Sequence, residues 1–305
     1  MEVAFQYDSF FILLIMFLIW FFNILMLVIA WKTCALKSIN RYFLTSMTVA
    51  DLLIGIFIVP FSFWTSLFSE WVFNDKFCHV EAYLNAILWI VSLYSYMCLC
   101  IDHFVGIRKP QRHEAELSPL RCFCWVTLIW ISALCFCCPL MFGENRGRYE
   151  DNTHLCVIDW SSQRAYFITS GVVITVPALV VITFTNLYIF TDDYKNRKEV
   201  YEKFFTWNRG GRPENYFAAF VIGLVYLFSW LPWCIVELFD HFKILGYDKY
   251  PQQMDFFLLW LVVSNSFFKL PVFLLCSQEF RDGLKYVWYN VKMACRSSIE
   301  ITTAI

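Results

Sequence analysis

The chain has 305 residues, of which 59% are hydrophobic and only 16% charged, against about 45–50% and about 25% in an average soluble domain. Aromatic residues make up 20%, with 33 Phe and 13 Trp, and mean hydropathy is +0.55. These values exclude an ordinary soluble enzyme and a disordered chain, and a net charge of -1 gives no electrostatic reason to invoke nucleic acid.

A membrane helix needs roughly 20 mostly apolar residues. Seven such segments follow one another, at about 9–31, 42–67, 77–107, 121–142, 165–190, 216–239 and 254–276. None has the ten-residue alternation of a barrel strand. The expected fold is therefore all-α: a seven-transmembrane helix bundle, with residues 1–305 forming one domain. The first segment follows Glu2 and Asp8 with no preceding Lys or Arg, and no small-residue cleavage site comes after it. It reads as a retained span rather than a signal peptide.

Orientation follows from the basic residues. With the N-terminus outside, seventeen Lys and Arg fall on the cytoplasmic face and six on the outer face, and Lys269 lies inside a span. The positive-inside rule then predicts N-out and C-in at the cell membrane. The connections are short and leave no room for a soluble ligand-binding or catalytic domain. Beyond the seventh span, Phe280, Leu284, Val287, Trp288 and Val291 recur at helical spacing, with Lys285, Lys292 and Arg296 on other faces. This pattern predicts a helix over about 279–293 lying in the membrane interface.

Asp51 is the sole charge in the second span, SMTVADLLIGIFIVPFSFW, and an ionisable residue at that depth is a functional candidate. Asn23 stands in the first span. Trp71 precedes Cys78 by seven residues, and the third span ends Ile101-Asp102-His103-Phe104. Trp130, Pro139 and Pro177 mark the fourth and fifth spans. Ser229-Trp230-Leu231-Pro232 lies in the sixth, and Trp260 with Asn265-Ser266 in the seventh. Taken in this order and spacing, the motifs resemble those of the rhodopsin-like (class A) G-protein-coupled receptors over nearly the whole chain. The resemblance is closest to the biogenic-amine-receptor-like branch and its orphan relatives. It implies a cell-surface receptor for a small extracellular ligand, signalling through a heterotrimeric G protein, with membrane lipids around it and no cofactor or metal.

The resemblance also assigns roles. The family joins Cys78 and Cys156 by a disulfide. The switch core would comprise Asp51, Ser92, Asn265, Ser266 and Lys269, and the ligand pocket Asn85, Ala86, Trp89, Thr169, Ser170, Trp230, Trp233, Glu237 and Trp260. Asp102, His103, Phe104 and Phe273 would form the G-protein face. Cys295, after the interfacial helix, is a candidate for palmitoylation, with a plain cysteine the alternative. The remaining span cysteines, CFCC included, read as small hydrophobes.

Several positions depart from the family pattern. The arginine of its D-R-Y motif is His103 here, which cannot make bidentate guanidinium contacts, and its tyrosine is Phe104. The N-P-x-x-Y motif reads Lys269-Leu270-Pro271-Val272-Phe273. Lys269 replaces an asparagine beside the aspartate whose pocket often holds sodium. It either pairs with Asp51 as a built-in cation or snorkels toward the cytoplasmic interface. The pocket aspartate that binds amines is Asn85, leaving Glu237, Glu81 or Asp240 to supply a displaced negative charge, assisted by cation–π contact with Trp233. A retinal receptor is disfavoured, because the opsin lysine position is Val263, roughly 9 Å along the helix from Lys269.

Two competing readings stand beside the signalling receptor. One is an atypical or decoy receptor, with the same fold and weak or no coupling. The other is a channel or transporter, which the lack of an internal repeat weakens. Enzyme chemistry has no support, since the five histidines are scattered and no H-E-x-x-H or nucleophile elbow occurs.

Overall fold

The computed structural model describes residues 7–32, 38–68, 70–108, 118–142, 147–158, 168–195, 214–242 and 252–303. In chain order the elements are α1 (Tyr7–Lys32), α2 (Ser38–Phe57), α3 (Val59–Phe68), α4 (Asp75–Arg108) and α5 (Pro119–Phe142). The strands β1 (Gly147–Glu150) and β2 (Leu155–Ile158) follow, then α6 (Val176–Lys195), α7 (Glu214–Phe242), α8 (Gln252–Cys276) and α9 (Gln278–Thr303). Among the described residues, seven helices are long and apolar enough to cross a membrane, one for each expected span. The chain is a multi-pass membrane protein.

Two spans carry irregularities with a local cause. The second is divided at Ile58, between α2 and α3. Pro60 has no N–H to donate to Ile56, and the residue before a proline is pushed away from helical geometry. The turn is closed by Phe61 N–H donating to Ile58 O at 3.1 Å, and the helix resumes. In the fifth span a π-helical turn at Gly171–Thr175 precedes α6. Pro177 is the second residue of α6, where the preceding π turn accommodates its missing donor.

The spans divide by how much they bury. The second and seventh have 61% of their most apolar window inside the protein, whereas the fourth has 22% and the fifth and sixth 28%. Phe123, Trp125, Leu128, Phe184, Leu187, Leu224 and Phe228 stand exposed on the latter group. Their outer faces suit hydrocarbon rather than water. The first two spans approach closely, and a Cβ on Gly55 would lie 2.5 Å from Ile19 Cγ2. Trp20 Nε1–H donates to Gly55 O at 2.6 Å across the same contact.

The long connection before the fifth span contains a β-hairpin in addition to the helices. Gly147 pairs with Ile158 and Tyr149 with Cys156 in an antiparallel ladder. The Cys78–Cys156 disulfide, with Cα atoms 5.4 Å apart, fastens this hairpin to the start of α4. Gly147 fits there because it lacks a side chain: a Cβ would stand 2.6 Å from Ala82 Cβ.

The last helix is longer than the 279–293 expected, running Gln278–Thr303. Phe280 is fully buried and stacks on Phe273 of α8 with centroids 4.5 Å apart. Arg281 Nη1 donates to the carbonyls of Leu274 and Leu275 at 3.1 Å, a basic cap on the end of α8. Tyr286, Trp288, Tyr289 and Val291 are exposed. Cys295 lies in this helix, and its side chain is outside the described residues.

Candidate functional site

The polar centre of the bundle is built from α2, α4 and α8. Asp51 is 2% exposed, and Ser92 Oγ donates to its Oδ1 at 2.9 Å. Lys269 Nζ donates to the other oxygen, Oδ2, and to Ser266 O at 3.2 Å. Asn23 Nδ2 reaches Ser266 O from α1 at 3.0 Å. Lys269 is itself only 2% exposed, so its stem does not carry the ammonium to an end of the bundle. Removing two such charges from water costs several kcal/mol per ion, and the mutual attraction and extra hydrogen bonds offset it. A small cavity beside the pair is lined by Asp51, Trp89, Ser92, Tyr226, Trp230, Val262, Asn265 and Ser266. Its polar walls and size suit about one water.

An aromatic ladder rises and falls from that cavity. Trp89, Trp230 and Trp233 meet edge to face, with centroids 5.5 to 6.2 Å apart. Trp230 stacks on Tyr226 at 6.0 Å, and Tyr226 on Tyr96 at 5.3 Å. Tyr96 is fully buried, and its hydroxyl donates to Ala219 O on α7 at 2.9 Å. Tyr226 and Val262 line the cavity without belonging to the expected set. The signal for Tyr226 is its place one helical turn before Trp230, on the same face.

The hairpin covers the bundle end nearest the expected pocket. Trp260 is fully buried, and its Nε1–H donates to Thr153 O in the hairpin turn at 3.0 Å. Thr65 Oγ1 donates to His154 O at 3.4 Å. Asn85 and Glu81 lie one turn apart on α4, at 4% and 3% exposure. Neither Glu81 oxygen, nor Asn85 Oδ1, has a hydrogen-bond partner among the described residues. Ala86 and Glu237 are half-buried, Thr169 is exposed, and Ser170 sits at the start of the π turn. The structure thus brings Trp89, Trp230 and Trp233 together. It sets Trp260 apart, under the hairpin. Asp240 has its side chain outside the described residues.

At the opposite end, Asp102 and His103 are 3% and 1% exposed. Phe104 packs against Phe184 and Tyr188 of α6, with centroids 5.8 and 4.8 Å away. The Arg108 guanidinium lies over the rings of Phe104 and Tyr188 at 5.9 and 5.7 Å, a cation–π contact. Phe273 is 2% exposed beneath Phe280. His103 and Phe273 are therefore internal parts of this end of the bundle. No group of His, Cys, Asp or Glu able to hold a metal occurs among the described residues.

Seven apolar helices around a buried carboxylate, with a disulfide-fastened hairpin over one end, define a seven-helix membrane protein. Residues 22–269 match the family described as 7 transmembrane receptor (rhodopsin family), and the chain belongs to it. It is 26% identical to G-protein coupled receptor 52 of Bos taurus, an alignment covering 84% of this chain and 73% of that one. It is 25% identical to the probable G-protein coupled receptor 21 of Homo sapiens, over 85% and 76%. The D(2) dopamine receptor A of Xenopus laevis is 24% identical over 65% of this chain and 44% of that receptor. The family and these relatives are receptors, not enzymes.

Proposed function

We propose that the protein is a cell-surface receptor that binds a small extracellular ligand and signals through a heterotrimeric G protein. Family membership supports this reading. The observation that carries it is the continuous path from the Asp51–Lys269 pair, through the shared cavity and Trp230, to Tyr226 and Tyr96. Two arrangements of α7 against α4 can be biased from such a path. In this reading the N-terminus and hairpin are extracellular, as the distribution of basic residues predicts, and His103 faces the G protein when α7 moves. Lys269 supplies the cation of the switch core.

A second-messenger screen of surface-expressed protein against amines, lipids and peptides tests the proposal. A concentration-dependent response is expected, reduced by Asp51→Asn. The departures at His103 and Phe273 favour a second reading, an atypical receptor with weak or no coupling. A silent wild type beside a constitutively signalling His103→Arg variant selects that reading instead.

A further inference from the structure

A cluster of titratable groups lies under the hairpin turn, away from the switch core. His154 is 8% exposed and is the sole non-glycine among the described residues with positive φ, at 55°. Such a backbone is uncommon and persists where surrounding contacts fix it. Those contacts come from several elements. Its N–H donates to Glu150 O at 2.9 Å, and its carbonyl accepts from Thr65 of α3. Nδ1 is 3.1 Å from the Tyr149 hydroxyl, and Nε2 is 3.8 Å from Asp8 Oδ2 of α1. The Phe256 ring of α8 stands edge-on at 6.3 Å. One residue earlier, Thr153 O holds Trp260. A single side chain thus fastens the hairpin to the first span beside its attachment to the seventh.

We propose that this cluster is a proton-binding site: protonation of His154, between Asp8 and Tyr149, releases the hairpin turn from α1 and uncovers Trp260. The ligand is a proton from the side that the hairpin faces, outside the cell in the orientation proposed above. The site requires neither a small-molecule ligand nor G-protein coupling.

The proton accounting is explicit. In neutral imidazole one ring nitrogen donates and the other accepts. With the ring proton on Nε2, Nδ1 accepts from the Tyr149 hydroxyl and Nε2 faces the Asp8 carboxylate 3.8 Å away. An added proton goes to Nδ1, so the Tyr149 hydroxyl must turn to accept and the imidazole becomes a cation. The groups around it have opposing effects. Asp8 on α1 and Asp151 in the turn favour the cation, as does Asp8 by hydrogen bonding. Glu150 of the hairpin is occupied by Thr153 Oγ1, 3.3 Å from its Oε2. Glu81 of α4 acts on Tyr149, Asp255 neighbours Phe256 along α8, and Thr65 of α3 is uncharged. Burial is the largest influence, and it holds His154 below its usual range, the carboxylates offsetting only part. The docked hairpin therefore binds the proton more weakly than the released one. Its stability is complete above the ordinary histidine value of about 6.5 and declines as pH falls below it. Asp8, 42% exposed, can follow the imidazolium into water.

The experiment is hydrogen–deuterium exchange of the purified full chain in phosphatidylcholine nanodiscs between pH 7.5 and 4.5, corrected for intrinsic exchange rates. Protection of residues 147–158 is expected to fall below about pH 6.5, by at most roughly tenfold per pH unit, the limit for one proton. Protection of α4 is expected to stay constant. His154→Gln, which carries no titrating ring, should flatten the hairpin response. Asp8→Asn removes a carboxylate that favours the cation, so the fall should continue to lower pH. A flat wild-type profile overturns the proposal, and so does a full response in His154→Gln or an equal loss across α4. Should His154→Gln fail to fold, an Asp8→Asn profile identical to wild type overturns it equally.

Discussion

Lys269 Nζ and Asp51 Oδ2, 218 positions apart in sequence, form a hydrogen-bonded ion pair that is almost wholly removed from solvent. It joins α8 to α2 at the polar centre of the bundle. Ser92 and Ser266 satisfy further atoms of the pair. Breaking a buried pair by deleting one partner leaves the other charge uncompensated, which costs about 3–5 kcal/mol. Lys269→Met is expected to lower the thermal midpoint of the purified protein strongly. Adding Asp51→Asn should recover more than half of the loss, a coupling that a double-mutant cycle reads directly.

The same pair makes a prediction about salt. With the ammonium in place, the wild-type midpoint should be equal in sodium and potassium chloride at matched ionic strength. Lys269→Asn should acquire a rise specific to sodium. A sodium-specific shift in wild type would show that Lys269 does not occupy the cation position.

Gly223 on α7 is where Tyr96 and Asn186 approach. A Cβ there would stand 2.5 Å from the Tyr96 hydroxyl and collide with the Asn186 amide. Gly223→Ala should cost about 1–3 kcal/mol as an overpacked contact and shift α7 away from α4, raising basal second-messenger output. Tyr96→Phe, which removes the hydroxyl bond to Ala219 O, should cost about 0.5–1.5 kcal/mol and push in the same direction. Unchanged basal output in both variants, at normal surface expression, would remove the ladder from the switching path.

Cys78→Ser removes the covalent tie between the hairpin and α4, leaving the Gly147 N–H to His79 Nδ1 hydrogen bond at 2.9 Å. Loss of a native disulfide costs roughly 2–5 kcal/mol. Deuterium exchange should rise first in residues 147–158 and only slightly in α1 and α8, because the Thr153 and His154 contacts remain. A uniform rise would show that the hairpin is not separately held.

Much of the fold was legible from hydropathy because each span must satisfy its own backbone hydrogen bonds in lipid. The apolar run and the helix therefore coincide, as in 254–276 and Gln252–Cys276. The break at Ile58 was hidden for the opposite reason: Ile56-Phe57-Ile58-Val59 is uniformly apolar, and only Pro60 hints at it. The hairpin was hidden because its strands are four residues each, although Asp151-Asn152 is a plain turn signal between β-forming residues. Within the site, motif spacing located Asp51, Trp230 and Lys269. The stacking of Tyr96 on Tyr226 belongs to no motif, since it depends on how α4 and α7 face each other. His154 was similarly illegible. Its partners come from residues 8, 65 and 149, which only the fold assembles.

The covalent attachment of the Lys269 ammonium has an electrical consequence. Moving one elementary charge through the full membrane potential is worth about 2.3 kcal/mol per 100 mV, so a diffusible ion held mid-membrane responds to voltage by entering or leaving. An ammonium on a four-carbon stem does neither. Paired with Asp51, it makes the bundle centre a fixed dipole with no net charge, and that centre gives the membrane potential no mobile charge to act upon.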